Sequence, residues 1–575
     1  MPREPGAVLR RWFPLPADYG LRALRGDALA GLTLGVILIP QAMAYGILAG
    51  VPAVYGLYAA LVPLLVYTLL ASTPHVSVGP TALASLLTLN GLTAYAEPGT
   101  ADYLTYAITL AALTGAIQAL FGLLRLGGLV SLLSRPVLSG FVSAAAVLII
   151  ASQAKTLLGV ETGRATYLHE TVYQLATNLD TLHWPTAVLG VGTFVLLFLG
   201  RRYAPRLPAM LIWVVAATVL VYLFRLDRVG IAVVGAVPGG LPALSLPTFD
   251  TSVLGQLLPV GLVLALISFV ETLSIGNTFA THHGYYRIRP NRELLALGAS
   301  KVVGSLFGAI PTSASFSRSA VVEEGGGRGP LSGVVAVLIL VAVLLFLTPL
   351  FYYLPLPVLA GIIVFSVIKL FDFAEMQRLW RLAPRELAVL LVTLLFTLFT
   401  GLQWGIAGGV VLSLFFVFFR AARPHLAQLG RIPGTNAFRN LERFPQAEVD
   451  PALLIVRFDA ELYFGNAEYF GDAILAMADE RGPALRVVII DAHTINDLDT
   501  TGLYALEQLH GKLASRSVAL YLTGVIGPVR DTLYQSGLMQ RMGTQSYFLS
   551  IQDAIQHYHT EGEERDWDLP ALQHD

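Results

Sequence analysis

From about Ala23 to Phe419 apolar runs follow one another, interrupted by glycine and proline more than by charge. A helix that crosses a bilayer needs about 20 apolar residues. Eleven stretches approach that length, at 28–49, 54–71, 104–124, 137–158, 186–200, 207–224, 254–280, 331–350, 356–370, 385–401 and 403–420. Three more, at 80–95, 294–309 and 316–324, are shorter or more polar, which makes 14 segments in all. After "FFRAARPHLAQLGRIPGTNAFRN" the pattern changes. Short apolar strands in "ALLIVRFDAELYF", "RVVIIDAHTINDLD" and "VALYLTGV" alternate with amphipathic stretches, which predicts a small soluble α/β domain of about 110 residues. The expected layout is an N-terminal tail at 1–23, a membrane region at 24–425, a linker at 426–447, the soluble domain at 448–560 and a tail at 561–575.

Composition supports a polytopic α-helical membrane protein. Of 575 residues 55% are hydrophobic and only 13% charged, against roughly 25% charged in soluble proteins. A net charge of −1 gives no basic field for nucleic acid, and the absence of cysteine excludes disulfides and thiol chemistry. The N-terminus is basic but has no cleavable signal pattern, so it reads as a cytoplasmic tail. Arg10, Arg11, Arg22 and Arg25 precede the first segment; Arg201, Arg202 and Arg206 follow the sixth; Arg287, Arg289 and Arg292 follow the eighth; Arg378, Arg381 and Arg385 follow the twelfth; Arg420 and Arg423 follow the last. All fall on one side if both termini are cytoplasmic, as the positive-inside rule requires, with Arg225 and Arg228 as the main exceptions. Scarce lysine beside abundant arginine points to a GC-rich bacterial genome, hence to a bacterial inner membrane.

Two segments break the apolar pattern in the same way. "STPHVSVGPTALASLL" (72–87) and "IPTSASFSRSAVVEE" (310–324) each join a short extended run to a helix start. Pro80 suits a first helical turn, and Ser315 or Ser317 suits a cap. Non-helical backbone at membrane depth persists only when buried in protein or lining a polar cavity. Two helix N-termini there, with unpaired N–H groups, make an anion site. Gln41 lies 77 − 41 = 36 residues before Ser77, and Glu271 lies 315 − 271 = 44 before Ser315. A long helix with a polar residue, a second span and a broken helix thus occur twice, at about 24–225 and 254–425, which reads as an internal repeat with substrate at its interface.

With "IPQAMAYGILAGVPAVYGLYAALVPLLVYTLLASTPHVSVGPTALASL", "GAIPTSASFSRSAV" and "VIIDAHTINDLDTTGLYAL", the chain resembles, over nearly its whole length, the sulfate permease (SulP) anion transporters with their C-terminal STAS domain. The resemblance implies two inverted repeats of seven segments, as in the uracil permease fold. A core domain of segments 1–4 and 8–11 would move against a gate domain of 5–7 and 12–14, usually in a homodimer. It places the anion between the third and tenth segments, lined by Gln41, Tyr45 and Thr81 and by Ser315, Ser317 and Arg318, facing Glu271. Val78, Gly79, Ala82 and Phe316 complete the binding set at the two helix starts. Animal relatives often carry an aromatic residue at the position of Thr81, so the pocket here is roomier or more polar. Sodium-using members carry Asp in the eighth segment and a hydroxyl one turn later. Here Glu271 is followed at that spacing by Ile275, which favours a proton over sodium.

Each residue has a plainer reading beside this one. Glu271 is either a structural carboxyl or a proton-coupling group, because buried ionisable residues in membranes are functional candidates by default. Arg318 either neutralises Glu271 or Glu323 or sets the site's positive potential. The serine row alone resembles helix-packing hydroxyls; its partner near Pro80 favours binding. His282 and His283 read as a solvated loop rather than a metal site, and Gly325–Gly327 as a flexible turn. Thr501 aligns with the phosphorylated serine of bacterial STAS relatives or, structurally, follows Asp499 in a helix cap. No cofactor, metal motif or catalytic set appears, so an enzyme is not expected. The resulting expectation is a secondary active, proton-coupled transporter of a dicarboxylate such as fumarate, or of sulfate or bicarbonate. Alternatives are an uncoupled exchanger or channel-like carrier, a nucleobase permease on the same fold, and a membrane sensor signalling through a protein that binds the STAS domain.

Overall fold

The computed structural model of the chain describes residues 15–16, 19–128, 134–163, 168–203 and 208–560. Arg10, Arg11, Arg206, most of the N-terminal tail and the tail at 561–575 lie outside the described residues. The chain divides into two compact units, Met1–Ser413 and Leu414–Asp575.

The first unit opens with α1 (Leu21–Leu48) and α2 (Ala53–Leu70), followed by the two-residue strand β1 (Val78–Gly79) and the half-length α3 (Ala82–Leu92). Then come α4 (Ala101–Leu123), α5 (Arg135–Leu158), the short α6 (Leu168–Thr177), α7 (Trp184–Tyr203) and α8 (Ala209–Phe224). The same order recurs. It runs α9 (Thr251–His283), α10 (Pro290–Ser305), β2 (Ser313–Ala314), α11 (Phe316–Glu324), α12 (Leu331–Ala342), α13 (Leu356–Val367), α14 (Phe373–Leu382), α15 (Pro384–Thr400) and α16 (Leu402–Ala422). Each of the fourteen expected segments is a helix. Among the described residues, eight helical stretches are long and apolar enough to cross a bilayer. The amphipathic α6 and α14 are additional, and both fall between the fifth and sixth spans of their repeat.

Packing follows the repeat. α1 lies on α12 as α9 lies on α4, and α5 lies on α15 as α13 lies on α7. Small residues permit the close approaches: a Cβ on Gly115 would sit 2.8 Å from the carbonyl oxygen of Gly298, and one on Gly56 would sit 1.9 Å from that of Ala42. Two groups result. One comprises α1–α4 with α9–α12; the other comprises α5, α7 and α8 with α13 and α15. They meet unequally. α1 packs against α13 and α8, and α3 against α5, whereas α9 packs closely against α3, α4, α10, α11 and β2 of its own group. Leu34, Leu38, Leu57, Val358 and Ile362 are buried in one continuous core on the α1 side. On the C-terminal half of α9, Ser274, Asn277 and Thr278 are exposed.

The second unit holds a six-stranded sheet, in which β3 (Leu426–Arg431) and β4 (Phe438–Asn440) precede β5 (Leu453–Phe458). The stretch 426–447, expected as a linker, therefore belongs to the sheet: Gly430, Pro433 and Gly434 read as linker chemistry, but the last two shape the turn between paired strands. β5, β6 (Val487–Asp491), β7 (Ala519–Thr523) and β8 (Tyr547–Phe548) run parallel. Alternate residues serve opposite faces. Leu454, Val456, Val488 and Ile490 meet Phe470 and Ile474 of α17 (Ala467–Arg481) and Leu506 and Leu509 of α18 (Thr500–Ala514). Leu453, Ile455, Val487 and Ile489 meet the last helix. α19 (Gly527–Gln535), α20 (Leu538–Met542) and that last helix, α21 (Ile551–Thr560), complete the unit.

Candidate functional site

The two broken segments cross. Val78 pairs with Ala314 and Gly79 with Ser313 in an antiparallel bridge. The Ser315 amide donates to the Ser77 carbonyl at 3.1 Å, and the Ser77 amide donates to the Ser319 hydroxyl at 3.0 Å. This mutual pairing satisfies the extended backbone that would otherwise be orphaned at membrane depth. His75 anchors the first segment from below. Its Nε2 lies 3.0 Å from the Gly327 carbonyl and its Nδ1 2.8 Å from the Tyr286 hydroxyl. A carbonyl can only accept, so the ring is protonated at Nε2 and Nδ1 accepts from tyrosine.

Both helix starts point into the crossing. α3 begins at Ala82 with Thr81 as its cap, the Thr81 hydroxyl accepting from the Ala84 amide at 3.4 Å. Pro80, expected in the first turn, precedes the cap instead. α11 begins at Phe316 with Ser315 in the cap position. The Ser315 hydroxyl does not accept from the helix; it meets the Ser317 hydroxyl at 3.2 Å.

Arg318 is fully buried in the crossing. One guanidinium nitrogen donates to the Pro80 carbonyl at 2.9 Å, while its Nε and second terminal nitrogen have no partner among the described residues. Gly79 lets the guanidinium approach closely: a Cβ there would stand 3.3 Å from that unpartnered nitrogen. A buried cation with free donors demands an acceptor, and an anion supplies one. Tyr45 and Glu271 lie within electrostatic reach of Arg318, and Glu323 instead meets His282 and His283. Tyr45 in turn faces Ser366 of α13, so this side chain spans the two groups. Gln41 is buried with its Nε2 3.8 Å from the Met210 sulfur and its Oε1 unpartnered.

Glu271, on α9, accepts a short hydrogen bond from Ser313. Val78, Gly79 and Ala82 are buried around the crossing, whereas the Phe316 ring is 56% exposed and stacks on Phe279 at 5.6 Å. Two residues lie outside the expected binding set: Ser313 of the serine row, which partners Glu271, and Lys301, a buried cation within electrostatic reach of it. Only a lysine inside the short polar segment 294–309 signalled the second. His282 and His283 also differ from expectation: they end α9, both lie within 3.3 Å of Glu323, and His283 stacks on His75 at 4.4 Å. In the second unit Asp499 caps α18 by accepting from the Gly502 amide at 2.7 Å, leaving Thr501 exposed in the first turn.

Residues 24–393 match the sulfate permease family, and residues 444–554 match the STAS domain. A probable sulfate transporter of Mycobacterium tuberculosis is 36% identical over 539 residues, covering 94% of this chain and 96% of its own. A chloroplastic sulfate transporter, 4.1, of Arabidopsis thaliana is 35% identical over 548 residues, covering 92% of this chain and 79% of its own. Among solved structures, murine Solute Carrier 26 family member A9, an anion transporter in the inward-facing state, superposes with a TM-score of 0.86 at 25% identity, covering 97% of this chain and 96% of that one. The transmembrane domain of the cyanobacterial bicarbonate transporter BicA has the same fold at a TM-score of 0.59 and 24% identity, covering 69% of this chain and 98% of that one. A polytopic helical membrane region with crossed half-helices, joined to a STAS domain, is therefore an anion transporter, and the chain belongs to the sulfate permease family.

Proposed function

We propose that the protein is a secondary active symporter that carries a small anion together with a proton by alternating access. The observation that carries this reading is Arg318: a fully buried guanidinium with two unpartnered donor nitrogens between the starts of α3 and α11. An anion held there accepts from Arg318, from helix-start amides and from the Ser315 and Ser317 hydroxyls. Glu271 accepts from Ser313 of the crossing and lies within electrostatic reach of Arg318, and its protonation offsets the charge brought in by the anion. The α1–α4 and α9–α12 group moves against the other, and the exposed polar residues Ser274, Asn277 and Thr278 of α9 line the access path. Arginines near the end of α9 favour a cytoplasmic assignment for that side, with both termini cytoplasmic, in the inner membrane of a bacterium.

Relatives named as sulfate transporters make sulfate the first substrate to try; a dicarboxylate such as fumarate, and bicarbonate, present the same acceptor chemistry. The test is uptake of each labelled anion into proteoliposomes, with and without an inward proton gradient. Glu271→Gln should bind substrate yet lose acceleration by the gradient. Gradient-driven uptake that survives this change would leave an uncoupled exchanger as the better reading. Uptake by a chain lacking residues 430–575 would separate transport from a sensory role of the STAS domain. Assembly as a homodimer is part of the same proposal, checked by mass in detergent.

A further inference from the structure

The α1–α4 and α9–α12 group buries a second cation that anion binding leaves unused. Lys301, on α10, is 1% exposed. Its ammonium donates to the Gln118 side-chain oxygen on α4 at 2.9 Å. The Gln118 amide nitrogen donates to the Ala265 carbonyl at 2.9 Å and to the Ser268 hydroxyl at 2.7 Å, both on α9. Because a carbonyl only accepts, the amide nitrogen must face α9, and the oxygen is committed to Lys301. Its role is thus fixed by geometry.

An ammonium held by one neutral acceptor is a strongly unfavourable burial unless an opposite charge offsets it. That charge is Glu271, the acidic group that acts on Lys301. Ser268 stands one turn before Glu271 on α9, so the Gln118 bridge sets Lys301 against the same helix face. The groups that act on Glu271 are Ser313 from β2, Lys301 from α10 and Arg318 from α11; Tyr45 of α1 faces Arg318.

We propose that Lys301 is a tethered countercation of Glu271, a positioning residue that keeps this carboxylate charged while the anion site is empty. The inference rests on Glu271 as the proton-coupling group. When an anion binds Arg318, that cation's pull on Glu271 is cancelled, and Lys301 is the remaining cation that, with the Ser313 hydrogen bond, opposes protonation. Anion binding and proton uptake are then linked, with Lys301 setting the pH range in which the linkage operates.

The test reads Glu271 directly, by infrared titration of its carboxyl band in the purified protein in lipid nanodiscs, the band being identified by its loss in Glu271→Gln. Lys301→Met should move the midpoint to higher pH by about one unit or more, a tenfold change in proton affinity. Lys301→Arg, which keeps the charge, should return it toward the original value. A midpoint in Lys301→Met within about 0.3 units of the unmodified protein overturns the proposal; so does a band that never titrates in either protein. A lysine that merely joined α4 to α9 would lower thermal stability without moving the midpoint. If Lys301→Met does not fold, Lys301→Gln preserves a donor for Gln118 and carries the same expectation. A shifted midpoint with uptake indifferent to a proton gradient would uphold Lys301 and overturn the symport reading.

Discussion

Arg318 donates to the backbone carbonyl of Pro80 at 2.9 Å and so fixes the start of one half-helix to the start of the other. Two nitrogens of the same guanidinium have no partner among the described residues. Structure and binding therefore depend on different edges of one planar group. Arg318→Lys keeps the charge but replaces the rigid fork by a point charge. We expect uptake efficiency to fall at least about tenfold for Lys, equivalent to ~1.4 kcal/mol, and further for Gln. Concentration-dependent uptake in proteoliposomes measures both, and an unimpaired Gln variant would remove Arg318 from the site.

Gly56 meets the carbonyl of Ala42 so closely that an added Cβ would lie 1.9 Å from it. Gly56→Ala should force α1 and α2 apart and destabilise the protein by about 1–3 kcal/mol. A thermal unfolding midpoint equal to that of the parent chain would show that the helices relax freely there.

Glu293 is fully buried where α2 ends and α10 begins. It accepts from the Tyr67 hydroxyl at 2.6 Å and from both the amide and the hydroxyl of Ser72. Glu293→Ala leaves three buried donors without an acceptor, at about 1–3 kcal/mol for each that finds no substitute. Thermal unfolding in detergent should therefore fall more than for Gly56→Ala. The reverse ranking would contradict the assigned network.

In the STAS domain Asp459 has its carboxyl held below the ordinary aspartate range. Partial burial opposes this, but hydrogen bonds from Arg457 and His425 outweigh it. A carboxylate whose folded value is depressed contributes stability that is complete above its ordinary value of 3.8 and is lost as pH falls further, through the folded value. Asp459→Asn should lower stability at pH 7 by roughly 1 kcal/mol, since the pair is partly solvent-screened. The difference between variant and parent should shrink toward zero as the pH falls below 3.8 and through the depressed folded value. A pH-independent difference would assign the effect to packing.

Local pattern revealed the spans and the crossing because both leave traces in neighbouring residues. Alternating small side chains before Thr81 and Ser315 mark extended backbone, and the recurrence of each broken helix after a long helix carrying Gln41 or Glu271 marks the repeat. Long-range partnerships leave no such trace. Lys301 meets Gln118 across 183 positions, and His75 meets Tyr286 across 211. Neither residue names its partner in its own window. β3 and β4 were hidden for a different reason: two short strands around "PGT" look like a linker until β5 pairs with β3.

Under the alternating access proposed above, the unequal packing of α1 and α9 also describes the opposite state. Since α9 occupies in the second repeat the place of α1 in the first, closing its side would bring it onto α5 as α1 now rests on α13. One arrangement is the other with the repeats exchanged. The chain has no native cysteine, so a disulfide engineered between α1 and α13 would form without competition. It should arrest turnover reversibly, whereas one between α1 and α12, which travel together, should leave turnover intact.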